Sequence, residues 1–557
     1  MRIVLSLCFL FLNLNLLAQS ITLKANWTYK GTDSSVWRKT GCTSTIHTSL
    51  LNDKLIPDPF YRDNENKLQW IADQNWEYAT HFDVKHNFKT FSNVLLKFEG
   101  LDTYTDIFLN DVKILSTDNM FRTYTIDVKS WLKIKNNTLR IVFFSAKKIT
   151  DSLAKQSNVL RPCENNRNYA RKAQYNFGWD WAPCLITCGV WRPVKLIYGE
   201  DAKPAMASYA PVKLVQENDS IGQSFYFTVN GKPTFMKGAN WIPADVFLPR
   251  LTKQRYRQLL LAAKEANFTM LRVWGGGIYE DDAFYDLCDS LGIYVWQDFM
   301  FAGAMYPGDS SFLENVKQEV TDNILRLRKH KCIVLWCGNN EIDEAWHNWG
   351  WKEQYHLTSA DSTKLWNDYR TLFHQLIPSL VQQYDSGRQY IASSPLYGWG
   401  RQQSMTHGDS HYWGMWWGMD SISMMSKKIP RFMSEYGMQA MPNIESIRRF
   451  ATNADMDTSS VVMKIHQKHP TGFKTLNNYL QMEKIPVTDF ASFISATQEL
   501  QCRALETAIK AQRHSNGRCM GSLLWQFNDC WPVCSWSIVD YYGRKKKGYE
   551  TVKKLYR

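Results

Sequence analysis

Hydrophobic and polar positions repeat with two different periods along the 557-residue chain, and the period changes near residue 226. Upstream, the runs 94–98, 103–109, 123–128 and 138–144 are short and rich in β-branched and aromatic residues, with Glu99-Gly100, Asn110-Asp111 and Asn136-Asn137 as turn signals between them. That spacing leaves no room for helices between strands. Residues 19–200 therefore read as an antiparallel, jelly-roll-like β-sandwich. Downstream, apolar runs at 235–241, 270–274, 294–299, 333–337, 389–393, 406–413, 431–436 and 523–527 alternate with amphipathic helical stretches at 252–266, 281–291, 311–329, 362–384, 444–452 and 498–515. Strands separated by helices bury both faces in a parallel sheet, and eight of them over residues 226–557 predict a (β/α)8 TIM barrel. Residues 201–225 read as a linker.

The first 18 residues follow a third pattern. Arg2 precedes a short apolar run, 3–17, broken only by Ser6, Asn13 and Asn15, and Ala18 offers a small residue for cleavage. This is the layout of an export signal. No later stretch reaches the roughly 18–20 apolar residues of a spanning helix. The mature chain is expected outside the cytoplasm, either periplasmic or secreted, with a lysosome as the alternative.

Composition narrows the function. A 44% hydrophobic and 21% charged chain is neither disordered nor fibrous. The 66 Lys and Arg against 53 Asp and Glu are scattered, apart from the run Arg544, Lys545, Lys546, Lys547, so the net +13 reads as a solvated basic surface rather than a nucleic-acid site. Export would leave 11 of the 12 cysteines, an odd number. The spacings Cys184/Cys188 and Cys530/Cys534 lack a second pair or histidines at zinc-ligand distance, and no metal or other cofactor is expected. The 23 tryptophans suit large cores or sugar-stacking clefts, because a pyranose presents apolar C–H faces to an indole.

In a barrel of this kind the chemistry sits at the C-terminal ends of the strands. Glu341 ends the run that begins at Ile333, and Glu435 ends the run from Arg431. Cleavage of a glycosidic bond needs one carboxylic acid at the leaving oxygen and a second carboxylate across the sugar, and these two positions supply the pair.

Trp336-Cys-Gly-Asn-Asn-Glu341 and Phe432-Met-Ser-Glu-Tyr-Gly437 resemble the acid/base and nucleophile motifs of glycoside hydrolase family 2. The segments Phe177-Gly-Trp-Asp-Trp-Ala-Pro183, Lys237-Gly-Ala-Asn-Trp-Ile-Pro-Ala-Asp245, Leu271-Arg-Val-Trp-Gly-Gly-Gly277 and Leu524-Trp-Gln-Phe-Asn-Asp-Cys-Trp-Pro532 resemble its β-mannosidase branch. The resemblance implies a retaining exo-hydrolase of terminal β-mannosyl residues in oligosaccharides or glycans, with Glu435 as nucleophile and Glu341 as acid/base. Their carboxyls would lie roughly 5–5.5 Å apart, with Glu435 ionised and Glu341 protonated at rest. It further implies Arg272 as the charge partner of Glu435, Asn340 at the sugar 2-hydroxyl, and Trp179 and Asp180 reaching the pocket from the sandwich. Trp274, Trp349, Trp399 and Trp525 would be stacking or wall positions, and His407, His411 and Tyr412 candidates to orient the carboxylates. The alternatives are another family 2 exo-glycosidase (a β-galactosidase or β-glucuronidase) and a degenerate carbohydrate-binding protein. Relatives carry an immunoglobulin-like domain between sandwich and barrel, of which only a remnant near 212–217 is expected here, and they continue into further β-domains after the barrel. Without the intervening domain, the delivery of Asp180 to the barrel mouth becomes the point to examine.

Overall fold

A computed structural model describes residues 19–557; the expected export segment, 1–18, lies outside the described residues. The sandwich is built from a four-stranded antiparallel sheet, in the order Gln19–Thr22, Val194–Tyr198, Val94–Phe98, Tyr124–Asp127, and a six-stranded sheet. The six-stranded sheet centres on Asn137–Phe144, which pairs with Trp76–Phe82 on one side and Tyr104–Leu109 on the other. Burial alternates residue by residue along Asn137–Phe144. Leu139, Ile141 and Phe143 therefore point inward with Val94, Leu96 and Phe98 of the other sheet, as the period of two dictates. A third, short sheet joins Ser44–Thr45, Gly189–Val190 and Leu101–Asp102. Gly189 is required there: its φ is +144° and a Cβ would lie 2.3 Å from the Ser44 carbonyl oxygen.

Eight parallel strands follow: Met236–Trp241, Met270–Val273, Tyr294–Asp298, Ile333–Cys337, Gln389–Ile391, Asp409–His411, Phe432–Glu435 and Gly521–Leu524. The first pairs with both the second and the eighth, so the sheet curls into a barrel. Several elements differ from their predicted bounds. The helix expected at 362–384 runs uninterrupted from Ser359 to Asp385, with a π-helical stretch at Thr371–Leu376. Pro378 accounts for that stretch, since it has no N–H for the preceding turn and its ring crowds that turn's carbonyl. The helix expected at 498–515 starts earlier, at Phe490, because Asp489 and Ser492 form a capping box there. The one expected at 444–452 stops after a single turn, Ile444–Ile447. The helix Gly472–Met482 was not foreseen.

The stretch read as linker carries the strand Val212–Val215, which pairs with Tyr226–Val229, itself paired with Lys232–Thr234. This small sheet sends Leu214, Phe225 and Phe227 against Met236, Trp296, Phe432 and Leu523 and fills the N-terminal end of the barrel. Within the basic run, Lys545 and Lys547 are exposed, as a solvated surface requires, but Lys546 is not. Lys546 is 1% exposed, and its ammonium donates to the carbonyls of Ala440 at 3.0 Å and Ser535 at 3.3 Å. All eleven cysteines of the described residues are unpaired, and Cys530 and Cys534 are buried. Among the described residues no helix is long and apolar enough to cross a membrane.

Sandwich and barrel pack directly on one another. Arg171 from the sandwich side reaches both carboxylate oxygens of Glu319 on the helix Ser310–Leu327, at 2.7 and 2.8 Å, with neither side chain exposed beyond 1%. Asn119 and Tyr279 donate to the same carboxylate, and Arg161 pairs with Asp368 at 2.7 Å. A carboxylate this deep is stable only while its partners are present. Arg171→Met is therefore expected to cost about 3–5 kcal/mol in urea unfolding, with much of the loss recovered in the double variant Arg171→Met/Glu319→Leu.

Candidate active site

The fourth strand sets the first carboxylate. After Cys337 the chain turns through Gly338, where a Cβ would lie 2.3 Å from the Ala392 carbonyl, and Asn340 bonds through its backbone N–H to the Phe301 carbonyl at 2.9 Å. Glu341 then caps the helix Ile342–Asn348 from the left-handed region, at φ 62°, its N–H held by the Ser394 carbonyl at 2.8 Å. That conformation costs a non-glycine residue about 1–2 kcal/mol and persists only where surrounding bonds impose it. The seventh strand sets the second carboxylate: Glu435 is its last residue, opposite His411 in the sixth, and its carbonyl accepts from the Tyr412 N–H at 2.8 Å. Asp409 braces both positions. It accepts from the hydroxyls of Ser394 and Ser434 at 2.6 Å each, and so ties the residue that anchors Glu341 to the neighbour of Glu435.

These constraints bring the two carboxyls together, with one oxygen of each, and one nitrogen of His411, within 4.8 Å of one another. The His411 Nδ1 lies 2.8 Å from Glu341 Oε1 and 3.3 Å from Glu435 Oε2. Its Nε2 faces the Arg272 guanidinium at 3.2 Å. Two acceptors on one side and a donor on the other place the ring hydrogen on Nδ1. Burial, then Arg272, pushes the pKa of His411 well below its usual value, so the ring is neutral. Arg272, wholly buried, bonds Glu435 at 2.6 Å, both oxygens of Asp298 at 2.8 and 3.3 Å, and the side-chain oxygens of Asn240 at 3.1 Å and Asn340 at 2.8 Å. Burial alone would weaken that cation, but Asp298 and Glu435 outweigh it and hold the guanidinium charged. Glu341, His411 and Glu435 offer three atoms at a spacing a divalent cation would use, yet the guanidinium already supplies the positive charge there.

The charge balance decides who holds protons. Burial pushes the pKa of Glu341 up to about 7, with Arg272 and the Asn340 amide pulling back. Burial, then the charge of Glu341, pushes Glu435 upward as well, with Arg272 opposing. With both carboxyls raised and so close together, charging the two at once is costly. The guanidinium touches Glu435 and not Glu341, so the charge rests on Glu435 and the proton on Glu341. Asp180 keeps part of its surface open, and the atoms crowding it, then Glu341 and Glu164, push its carboxyl up to about 8. It is therefore protonated at neutral pH, able to donate as well as accept.

Of the residues singled out in the sequence, Glu341, Glu435, Asn340, Arg272 and His411 converge. Asn340 bonds Arg272 through its oxygen and Glu341 Oε2 through its nitrogen, at 3.1 Å. Arg272, expected as the charge partner of Glu435, has no exposed surface to offer a substrate and bonds Glu435 and Asn340. The sandwich segment does arrive: the Trp179 ring packs edge-on against Trp274, with centroids 4.9 Å apart, under the guanidinium of Arg167. Trp274 and Trp525 are 1% and 5% exposed, locked with Trp181 in one indole cluster. Trp349 and Trp399 are 45% and 38% exposed. Two expectations fail. His407 precedes the sixth strand and lies against Gly222 and Tyr397, far along the strand direction from the carboxyls, and the Tyr412 hydroxyl bonds Asp420, so only its backbone serves Glu435. Asp298, Asn240 and Asp409 were missed; Asp298 ends a barrel strand, which was the available signal.

Because folded Glu341 keeps its proton to about pH 7 while the unfolded side chain loses it near 4.5, its contribution to stability is full below 4.5 and is lost as pH rises through 7. Urea midpoints are expected to decline over that window, and the decline is expected to flatten in Glu341→Gln.

A sequence profile described as glycosyl hydrolase 2 galactose-binding domain-like matches residues 27–192. The chain is 32% identical to β-mannosidase B of Thermothelomyces thermophilus, covering 96% of this chain and 76% of the relative. It is 30% identical to the β-mannosidase of Rattus norvegicus, covering 95% and 75%. Among solved structures, the β-D-mannosidase of Dictyoglomus thermophilum superposes with a TM-score of 0.88 at 35% identity, over 97% of this chain and 78% of that one. The exo-chitosanase of Amycolatopsis orientalis, 14% identical with a TM-score of 0.72, shares the fold.

Proposed function

We infer that this chain, which belongs to the β-mannosidases of glycoside hydrolase family 2, removes single terminal β-mannosyl residues from the non-reducing ends of oligosaccharides or glycans with retention of configuration. The observation that carries the reading is the pair of carboxyls with oxygens within 4.8 Å, one charged by Arg272 and the other protonated. That separation suits direct attack, whereas an inverting pair stands roughly 6.5–9.5 Å apart to admit a water.

In the first displacement a Glu435 oxygen bonds to the anomeric carbon as the glycosidic C–O bond breaks, and the Glu341 proton passes to the departing oxygen. In the second, Glu341, now a carboxylate, takes a proton from water, whose oxygen bonds to the anomeric carbon and releases Glu435. Arg272 holds Glu435 ionised for attack and accommodates its return as leaving group. Asn340, held by Arg272 and Glu341, keeps one amide hydrogen that would donate to the sugar 2-hydroxyl, a bond that strengthens in the transition state. Trp179, packed on Trp274, and its neighbour Asp180 would bound the far end of a pocket for a single residue, which suits exo action. The apolar segment 1–18 supports export to a periplasm or the cell exterior. The sequons at Asn26, Asn136, Asn218 and Asn267 would be glycosylated only in a eukaryote, where a lysosome is the alternative destination.

On an aryl β-mannoside, Glu435→Gln is expected to abolish turnover, and Glu341→Gln to lower kcat/KM by about 10²–10⁴-fold. The wild-type alkaline limb is expected near pH 7, where Glu341 loses its proton, and to vanish in Glu341→Gln. Full activity of Glu435→Gln, or a preference for aryl galactosides or glucuronides, would overturn the assignment.

A further inference from the structure

Large indoles are seldom left in water, and their placement is informative when they are. Five tryptophans of the described residues are more than a third exposed, and three of them, Trp349, Trp399 and Trp417, lie on the loops after the fourth, fifth and sixth barrel strands. They therefore lie along one side of the barrel rim that holds Glu341 and Glu435. Trp417 is the most exposed of them, at 52%.

The loop that carries Trp417 is rigidly built. Trp416, just before it, is 1% exposed and packs edge-on against Trp536 and His469, with ring centroids 5.3 Å away in each case. To point inward it adopts φ +89°, a left-handed conformation that a bulky side chain rarely takes. The surroundings impose it. The Tyr479 hydroxyl accepts from the Trp416 N–H at 2.9 Å and donates to the Asp420 carbonyl at 2.8 Å; Gly418 N–H bonds the Trp413 carbonyl at 3.1 Å and Asp420 N–H the Gly414 carbonyl at 2.8 Å. The consequence is that Trp417 faces out, its ring 4.2 Å from that of His469. Trp399 reaches the same loop: a Cβ on Gly418 would lie 2.5 Å from its ring, so only glycine permits the approach. The Trp399 backbone in turn bonds the His411 carbonyl at 2.9 Å and accepts from Asn348, at the end of the helix that Glu341 caps, at 2.7 Å.

We propose that Trp417, with Trp399 beside it across Gly418, is a stacking platform for the sugar rings of the leaving group and sets a preference for longer oligosaccharides. The proposal rests on the glycosidase reading above. The side matters: Trp179 and Asp180 close the pocket for the terminal sugar, whereas this platform is tied to the helix of the residue that protonates the leaving oxygen. A strained, internally bonded loop that holds an indole in water serves a ligand with an apolar face, and a pyranose is such a ligand.

The test compares Trp417→Ala with wild type and Trp417→Phe, measuring kcat/KM on an aryl β-mannoside and on β-1,4-linked manno-oligosaccharides of two to six units. The ratio of tetrasaccharide to aryl mannoside activity is expected to fall about threefold to tenfold in Trp417→Ala, with Trp417→Phe recovering most of it. Equal losses on both substrates, which a purely structural role would produce, or no loss on either, would overturn the platform. Wild-type inactivity on every mannoside would defeat the substrate reading instead. Fluorescence titration of the folded Glu435→Gln protein with mannotetraose then decides the platform alone: binding weakened by Trp417→Ala supports it, and unchanged binding refutes it.

Discussion

One buried guanidinium organises the centre of this molecule. Arg272 has no exposed surface, yet it meets Asp298, Glu435, Asn240 and Asn340, side chains that end four different strands or the turns that follow them. A lone cation in a dry barrel is tenable only with carboxylate partners, and two carboxylates on one cation leave a net negative charge. Adding Glu341 and Asp180 nearby makes full ionisation untenable. Protons therefore collect on the groups that the guanidinium does not touch. Which of two chemically identical glutamates carries the charge follows from which of them Arg272 reaches.

The same economy of charge operates at the seam between sandwich and barrel. Glu319, on a barrel helix, is neutralised by Arg171 from the sandwich and shared with Asn119 and Tyr279. Around it, Arg167 and Asn168 donate to the carbonyls of Gly303 and Met305 at 3.1 and 2.8 Å, and the Trp531 indole donates to the Trp181 carbonyl at 2.8 Å. These contacts lie on either side of Trp179 and Asp180. Direct docking of the two β and α/β layers thus delivers that dipeptide to the mouth without an intervening domain.

Much of this was legible in the sequence, for physical reasons that differ by element. The eight barrel strands are buried on both faces and announce themselves as apolar runs. The sandwich strands alternate, as half-buried strands must. Glu341 and Glu435 stood out because each terminates such a run. What stayed hidden were polar groups whose partners are distant in sequence. Asp409 looks like any strand aspartate until the hydroxyls of Ser394 and Ser434 are found on it. His407 and His411 are equivalent in sequence, four residues apart around a short strand, and only the strand's actual limits, Asp409–His411, put one at the carboxyls and the other at the opposite end. The 201–225 stretch has loop-like composition, yet its Leu214 and Phe225, with Phe227 just beyond, pack beneath the barrel, which no local pattern reveals.

That aromatic plug has a consequence for traffic. Phe225 and Phe227 pack on Trp296 and Phe432 and cover the N-terminal end of a barrel whose interior is already filled with side chains. The opposite rim, with Glu341 and Glu435, is thereby left as the face on which a ligand can dock, and arrival and departure share that one side.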